Sequence, residues 1–172
     1  PCGALETAAI DELQRHPQHS LQAASRQRLS GNFLFAGFLD VKFGRGVPGA
    51  VMGSLIALAT QTTDAAAHRW LNEPDIYDAM RRLLKPSKSD MSQLLIDFAI
   101  ARAFVGDRSD GAHTEDTERH GAMGRVRFDW SVKLRSLPRR LAPMVAIAPT
   151  GATYYWLDLE GVTAKDRLTV AI

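Results

Sequence analysis

The sequence predicts an α+β protein, a helical bundle-like subdomain followed by a small antiparallel β region. Three observations carry that expectation. Apolar residues recur at helical spacing from Leu5 to Phe104, and a polar stretch over 107–124 nearly lacks large apolar side chains. Beyond it the apolar period becomes two: Val126, Phe128, Trp130, Val132 and Leu134 alternate with Arg125, Arg127, Asp129, Ser131 and Lys133. The expected organisation is a helical subdomain over 1–106, a polar loop over 107–124 and a β-rich segment over 125–172.

Leu5, Ala8, Ala9 and Leu13 mark a first helix, which Pro17 stops after the basic Arg15 and His16. The segment that organises the rest is 30–44. Phe33, Leu34, Phe35, Phe38, Leu39, Val41 and Phe43 cover most of a helix's circumference, so the helix must be enclosed by others. Ser30 can cap its start, and Gly44 stands where a left-handed C-terminal residue is wanted. Val47-Pro48 opens the next helix, with Val51, Met52, Leu55, Ile56, Leu58 and Ala59 as its buried face. Asp64 to Leu71 reads as one or two further helical turns. Ile76, Tyr77, Met80, Leu83 and Leu84 form another helix up to Lys85-Pro86.

Ser87-Lys-Ser-Asp90 is a cap cluster before the clearest amphipathic helix. Met91, Leu94, Leu95, Phe98, Ala99 and Phe104 face inward, leaving Ser92, Asp97 and Arg102 for water. Short loops between these helices are bundle-like. After the first strand, Met144 to Ala148, Thr153 to Leu159 and Arg167 to Ile172 read as further strands. A strand at the end of the chain calls for a partner, or a continuation of the chain, to complete its sheet. With neither an initiator Met nor a signal segment, Pro1 reads as a trimmed end.

Composition narrows the function. At 172 residues with 45% apolar and 23% charged side chains, the chain is ordinary globular material. Its 21 basic residues exceed its 19 acidic ones by too little to imply a nucleic-acid partner. One cysteine, Cys2, excludes an internal disulfide or a multi-cysteine zinc site. No apolar run approaches the roughly 18 residues of a membrane span.

Motifs for chemistry are sparse. No His-Glu-x-x-His occurs, and the pairs His16/His19 and His113/His120 fall in expected loops, where solvated histidines are the simpler reading. Asp107, Asp110, Glu115, Asp116 and Glu118 lack the spacing of a calcium loop. No G-x-S-x-G, P-loop or dinucleotide fingerprint is present. Arg135, Arg139 and Arg140 make a small basic patch, and alternation sets Tyr154 and Trp156 on one sheet face, for packing rather than base stacking.

One resemblance adds to this. Leu5-Glu6-Thr-Ala8, Leu34 to Gly44, Pro48 to Ala59, Asp75 to Leu84, Ser89 to Phe104 and Asp110-Gly-Ala-His113 follow one another in an order that resembles the C-terminal half of bacterial zincin-type metallopeptidase-like proteins. The resemblance implies a helical floor for an active-site cleft, a partial β-sandwich after it, and an exported bacterial protein. It implies that Glu6 is the third protein ligand of a zinc ion. The two histidines and the general-base glutamate are absent, and Thr7 replaces the family's glycine. Zinc would therefore need ligands from an upstream segment or a separate chain, and this chain alone would be inactive. The alternative is a non-catalytic helical interaction module that binds a protein partner through an open sheet edge or an amphipathic helix.

Overall fold

In the computed structural model the described residues are 2–21, 32–60, 63–64, 69–70, 76–87, 90–114, 117–134, 140–142, 145–161 and 163. Helix α1 spans Cys2–Arg15, and Asp11 holds Arg15 one turn later at 2.8 Å. Its inner face is Ala9, Ile10, Leu13 and Gln14. Leu5, expected inside, is 76% exposed, because the first half of α1 lies against the polar 117–124 segment rather than the apolar core.

Helix α2, Phe33–Phe43, is the phenylalanine-rich one. Leu34, Phe38 and Leu39 are buried, and Phe35 and Phe38 meet Phe98 with ring centroids 4.9 and 5.4 Å apart. Phe33 opens to solvent, so the enclosure is not complete. Residues 22–31, with the proposed Ser30 cap, lie outside the described residues. Gly44 is right-handed, not left-handed, with φ −78°. A Cβ there would sit 2.5 Å from the Asp40 carbonyl oxygen, and the left-handed positions are Arg45 and Gly46.

Helix α3, Ala50–Thr60, starts later than Val47-Pro48 implies, because its cap comes from α2. The Asp40 carboxylate accepts from Gly49 N–H at 2.6 Å and Val51 N–H at 3.0 Å, two donors of the first turn that α3 itself leaves unpaired. Val51 and Leu55 are buried as expected, but Ile56 is 57% exposed. The helix expected over 64–71 is not formed at its described residues: β1 (Thr63–Asp64) and β2 (Arg69–Trp70) pair antiparallel there. The change runs against intrinsic preference, since Ala65, Ala66 and Ala67 are strong helix formers, so the pairing of the two ends overrides it.

Helix α4, Ile76–Leu84, buries Ala79, Met80 and Leu84. Helix α5, Met91–Arg102, is capped by Asp90, whose carboxylate accepts from Gln93 N–H at 2.8 Å. Leu94, Phe98 and Ala101 enter the core that α1 to α4 also build. Arg102, expected in water, is 2% exposed. Among the described residues no helix is long and apolar enough to cross a membrane.

The β region differs from expectation in direction. Strand β3, Trp130–Leu134, pairs with β4, Tyr155–Leu159, in parallel, with Trp130 opposite Tyr155 and Leu134 opposite Leu159. Residues 135–154 join them, a crossover rather than a hairpin. The crossover passes the turn after α1, where Ala148 N–H donates to Gln18 and Ala152 N–H to Pro17. That attachment turns the chain to run β4 in the direction of β3. It also keeps the described residues 145–148 out of a strand. The alternation holds in burial at Val126, Val132 and Leu134 but not at Trp130, which is 39% exposed, and before Trp130 it belongs to a loop whose Arg127 N–H donates to the Gln14 carbonyl. The strand expected over 167–172 lies outside the described residues, and among the described residues no second sheet packs on β3 and β4 to make a sandwich.

Candidate functional site

The polar stretch after α5 is folded, not open. Gly106–Arg108 and Glu118–Gly124 are short 3-10 turns that touch at their glycines: a Cβ on Gly124 would lie 2.7 Å from Gly106 Cα. Thr114, Thr117 and His120, at steps of three in the sequence, are the buried polar residues described here. Thr114 Oγ1 donates to the Phe104 carbonyl at 3.1 Å and meets Thr117 Oγ1 at 3.0 Å. The segment is fastened to α1 where Gln14 Nε2 donates to the Gly124 carbonyl at 2.9 Å.

This docking assembles four side chains from two distant parts of the sequence. Glu6 Oε1 accepts from Arg119 Nη2 at 2.5 Å. Arg119 Nε donates to His120 Nε2 at 3.4 Å, and His120 Nδ1 lies 3.0 Å from Thr7 Oγ1. An Nε2 that accepts assigns the proton to Nδ1, which then donates to Thr7. His120 is 4% exposed, not solvated as its loop position suggested. Burial, and then the Arg119 charge, push its pKa down, against a smaller opposing pull from Glu6. A neutral imidazole and a carboxylate thus flank one guanidinium at the N-terminal half of α1, where Glu6 shares a face with Ile10 and Leu13 one and two turns further on.

Glu6 is the residue that the resemblance named as a metal ligand. Its carboxylate is partly exposed and engaged by a cation. Among the described residues no three His, Cys, Asp or Glu side chains gather as a metal site would require. The described donors near Glu6 fall short of the three or four protein ligands of a zinc centre.

The remaining candidates separate. His113 stacks on Phe104 at 4.2 Å and holds Asp110 through Nδ1 at 2.8 Å. Asp107 binds Arg125 through both oxygens, and Glu118 accepts from Ser109, so the described acidic residues serve different partners. Residues 115 and 116 lie outside the described set. His16 and His19 stack on each other at 5.3 Å. Tyr154 is largely buried, with its hydroxyl donating to the Ala99 carbonyl at 2.6 Å, whereas Trp156 is half exposed against Phe128. Tyr154 precedes β4, so strand alternation does not link the two.

A second concave feature was not legible in the sequence. An apolar groove of about 650 Å³ runs between α5 and residues 150–154, floored by Leu95, Ile96, Ala99, Ile100 and Phe104. Ile96 and Ile100 are 53% and 49% exposed there. Its opposite wall begins at Thr150, a β-branched residue at φ +65°, whose hydroxyl accepts from Leu21 N–H at 3.0 Å and meets Ser20 Oγ at 3.1 Å. Comparison of the chain with protein-family models, curated proteins and solved structures returns no match.

Proposed function

We propose that this chain is the C-terminal segment of a zincin-like metallopeptidase-related protein, a helical floor under a cleft whose zinc helix lies outside it. The observation that supports the reading is the presentation of Glu6. Its helix is fixed to the core by Ile10, Leu13 and Gln14, while its carboxylate stands at the surface beside a neutral histidine. In the succession of helices that the chain resembles, this is the position of the third zinc ligand.

The roles of the residues follow from their chemistry. Helix α1 orients Glu6, and Arg119 holds the carboxylate in place until a metal competes for it. Zinc, when bound, supplies Lewis acidity. The test is the zinc content of the chain joined to its native upstream sequence. One zinc per protein, lost in Glu6→Ala, is expected; unchanged zinc in that variant eliminates Glu6 as a ligand.

A second reading, a non-catalytic interaction module, is favoured by a different observation: Ile96 and Ile100 stand exposed together on one face of α5.

A further inference from the structure

We propose that the groove between α5 and residues 150–154 receives an extended segment of a partner polypeptide with apolar side chains at alternate positions, held as an added strand. This gives the interaction reading its surface and its class of partner, and it rests on that reading rather than on zinc.

Backbone hydrogen bonding selects a strand over a helix or a small apolar molecule. Ala152 N–H donates to the Pro17 carbonyl and the Tyr154 carbonyl accepts from Asp129 N–H, so both residues spend their polar groups toward α1 and β3. Alternation along an extended chain turns Thr153 the other way. Its N–H and C=O have no partner among the described residues, and Thr153 lines the groove. Immediately after it, β4 is paired on one side only among the described residues. An unpaired edge beside an apolar trough is the arrangement in which a peptide adds as a strand, with main-chain bonds giving affinity and alternate side chains entering pockets. Leu95, Ile96, Ala99 and Ile100 carry no charge, so the side chains that enter must be apolar.

The groove is also braced for such a task. The positive φ of Thr150 costs free energy, and the bonds from Ser20 and Leu21 hold it in place, while the Tyr154 hydroxyl on the Ala99 carbonyl fixes the other end of the 150–154 wall to α5. Gly151 admits this path because a Cβ there would lie 2.3 Å from the Gln18 carbonyl oxygen.

The probe is a fluorescein-labelled Lys-Lys-Thr-Val-Thr-Val-Thr-Val peptide, followed by anisotropy against the full chain. Ile96→Asp and Ile100→Asp, both at exposed positions, should each weaken binding about tenfold or more, while Leu5→Asp on the far end of α1 should not. Two N-methylated peptides, one methylated on every Val and one on every Thr, decide the backbone claim. Only the pattern that removes the N–H groups facing the edge should abolish binding. A photoactivatable benzophenone side chain at position 100 should crosslink to the peptide. No binding by the wild-type chain, equal binding by the Asp variants, tolerance of both methylation patterns, or a crosslink to residues 164–172 of the same chain in place of the peptide each overturns the proposal. Zinc content enters none of these readouts, so this inference and the metal reading can fail separately.

Discussion

Arg102 and Gln14 hold each other inside the protein: Arg102 Nε donates to Gln14 Oε1 at 3.0 Å, with neither side chain reaching solvent. The guanidinium also donates through Nη2 to the Leu13 carbonyl at 2.7 Å, at the C-terminal end of α1, where the helix dipole favours a cation. Gln14 Nε2 in turn donates to the carbonyls of Arg102 and Gly124. One amide thereby ties α1 to α5 and to the segment after it. Gln14→Ala should destabilise the fold by about 3 kcal/mol, since it strands a buried charge and two carbonyls together. A urea midpoint that falls with an unchanged slope is the expected result.

The contact of Gly106 with Gly124 gives a second prediction. Gly124→Ala puts a methyl 2.7 Å from the Gly106 Cα and 2.9 Å from its nitrogen, both backbone atoms that cannot swing away. Gly121→Ala meets nothing within 4 Å but keeps a left-handed φ of +51°. The first should cost about 3 kcal/mol and the second about 1, read by thermal unfolding.

His120 makes stability depend on pH. Its folded pKa lies below the ordinary 6.5, so as pH falls through 6.5 the unfolded chain takes up a proton that the folded chain refuses. Stability is therefore retained above that value and lost below it. His120→Gln should flatten this part of the profile in denaturant titrations from neutral to mildly acidic pH. Arg119→Ala, which removes a positive neighbour, should raise the histidine's pKa in an NMR titration while changing stability by less than about 1 kcal/mol, because the Glu6 pair is at the surface.

Asp40 tests the cap that α2 supplies to α3. Asp40→Ala removes the acceptor for Gly49 and Val51 N–H and should cost about 1–2 kcal/mol, with Asp40→Asn recovering part of it. Amide exchange should quicken in the first turn of α3 before it changes in α5.

The helices were legible because their signals are local. Leu94 and Phe98, or Met80 and Leu84, repeat within one turn of chain, and Asp90 caps the helix directly after it. What escaped was set by residues far apart in sequence. Arg102 looks like a solvent-facing position until Gln14 is beside it, and the direction of β4 depends on Pro17 and Gln18 holding the crossover. His120 was read as solvated because a run of Thr, Glu, Asp and Gly carries no apolar period. The signal was there as a polar one, Thr114, Thr117 and His120 at steps of three, which a search for hydrophobic spacing passes over. Glu6 enters only through the resemblance, and no local pattern joins it to Arg119, its ion-pair partner 113 positions away, or to its neighbour His120.

The long reach of the bonds on α1 sets a schedule for biosynthesis. Gln14 waits for a partner 88 positions later and Thr7 for one 113 positions later. At a ribosomal pace of about 5–20 residues per second, the Arg102 that Gln14 binds emerges on the order of ten seconds after it. For that interval the nascent α1 lacks its tie to α5, and slowing translation between α1 and α5 would lengthen it.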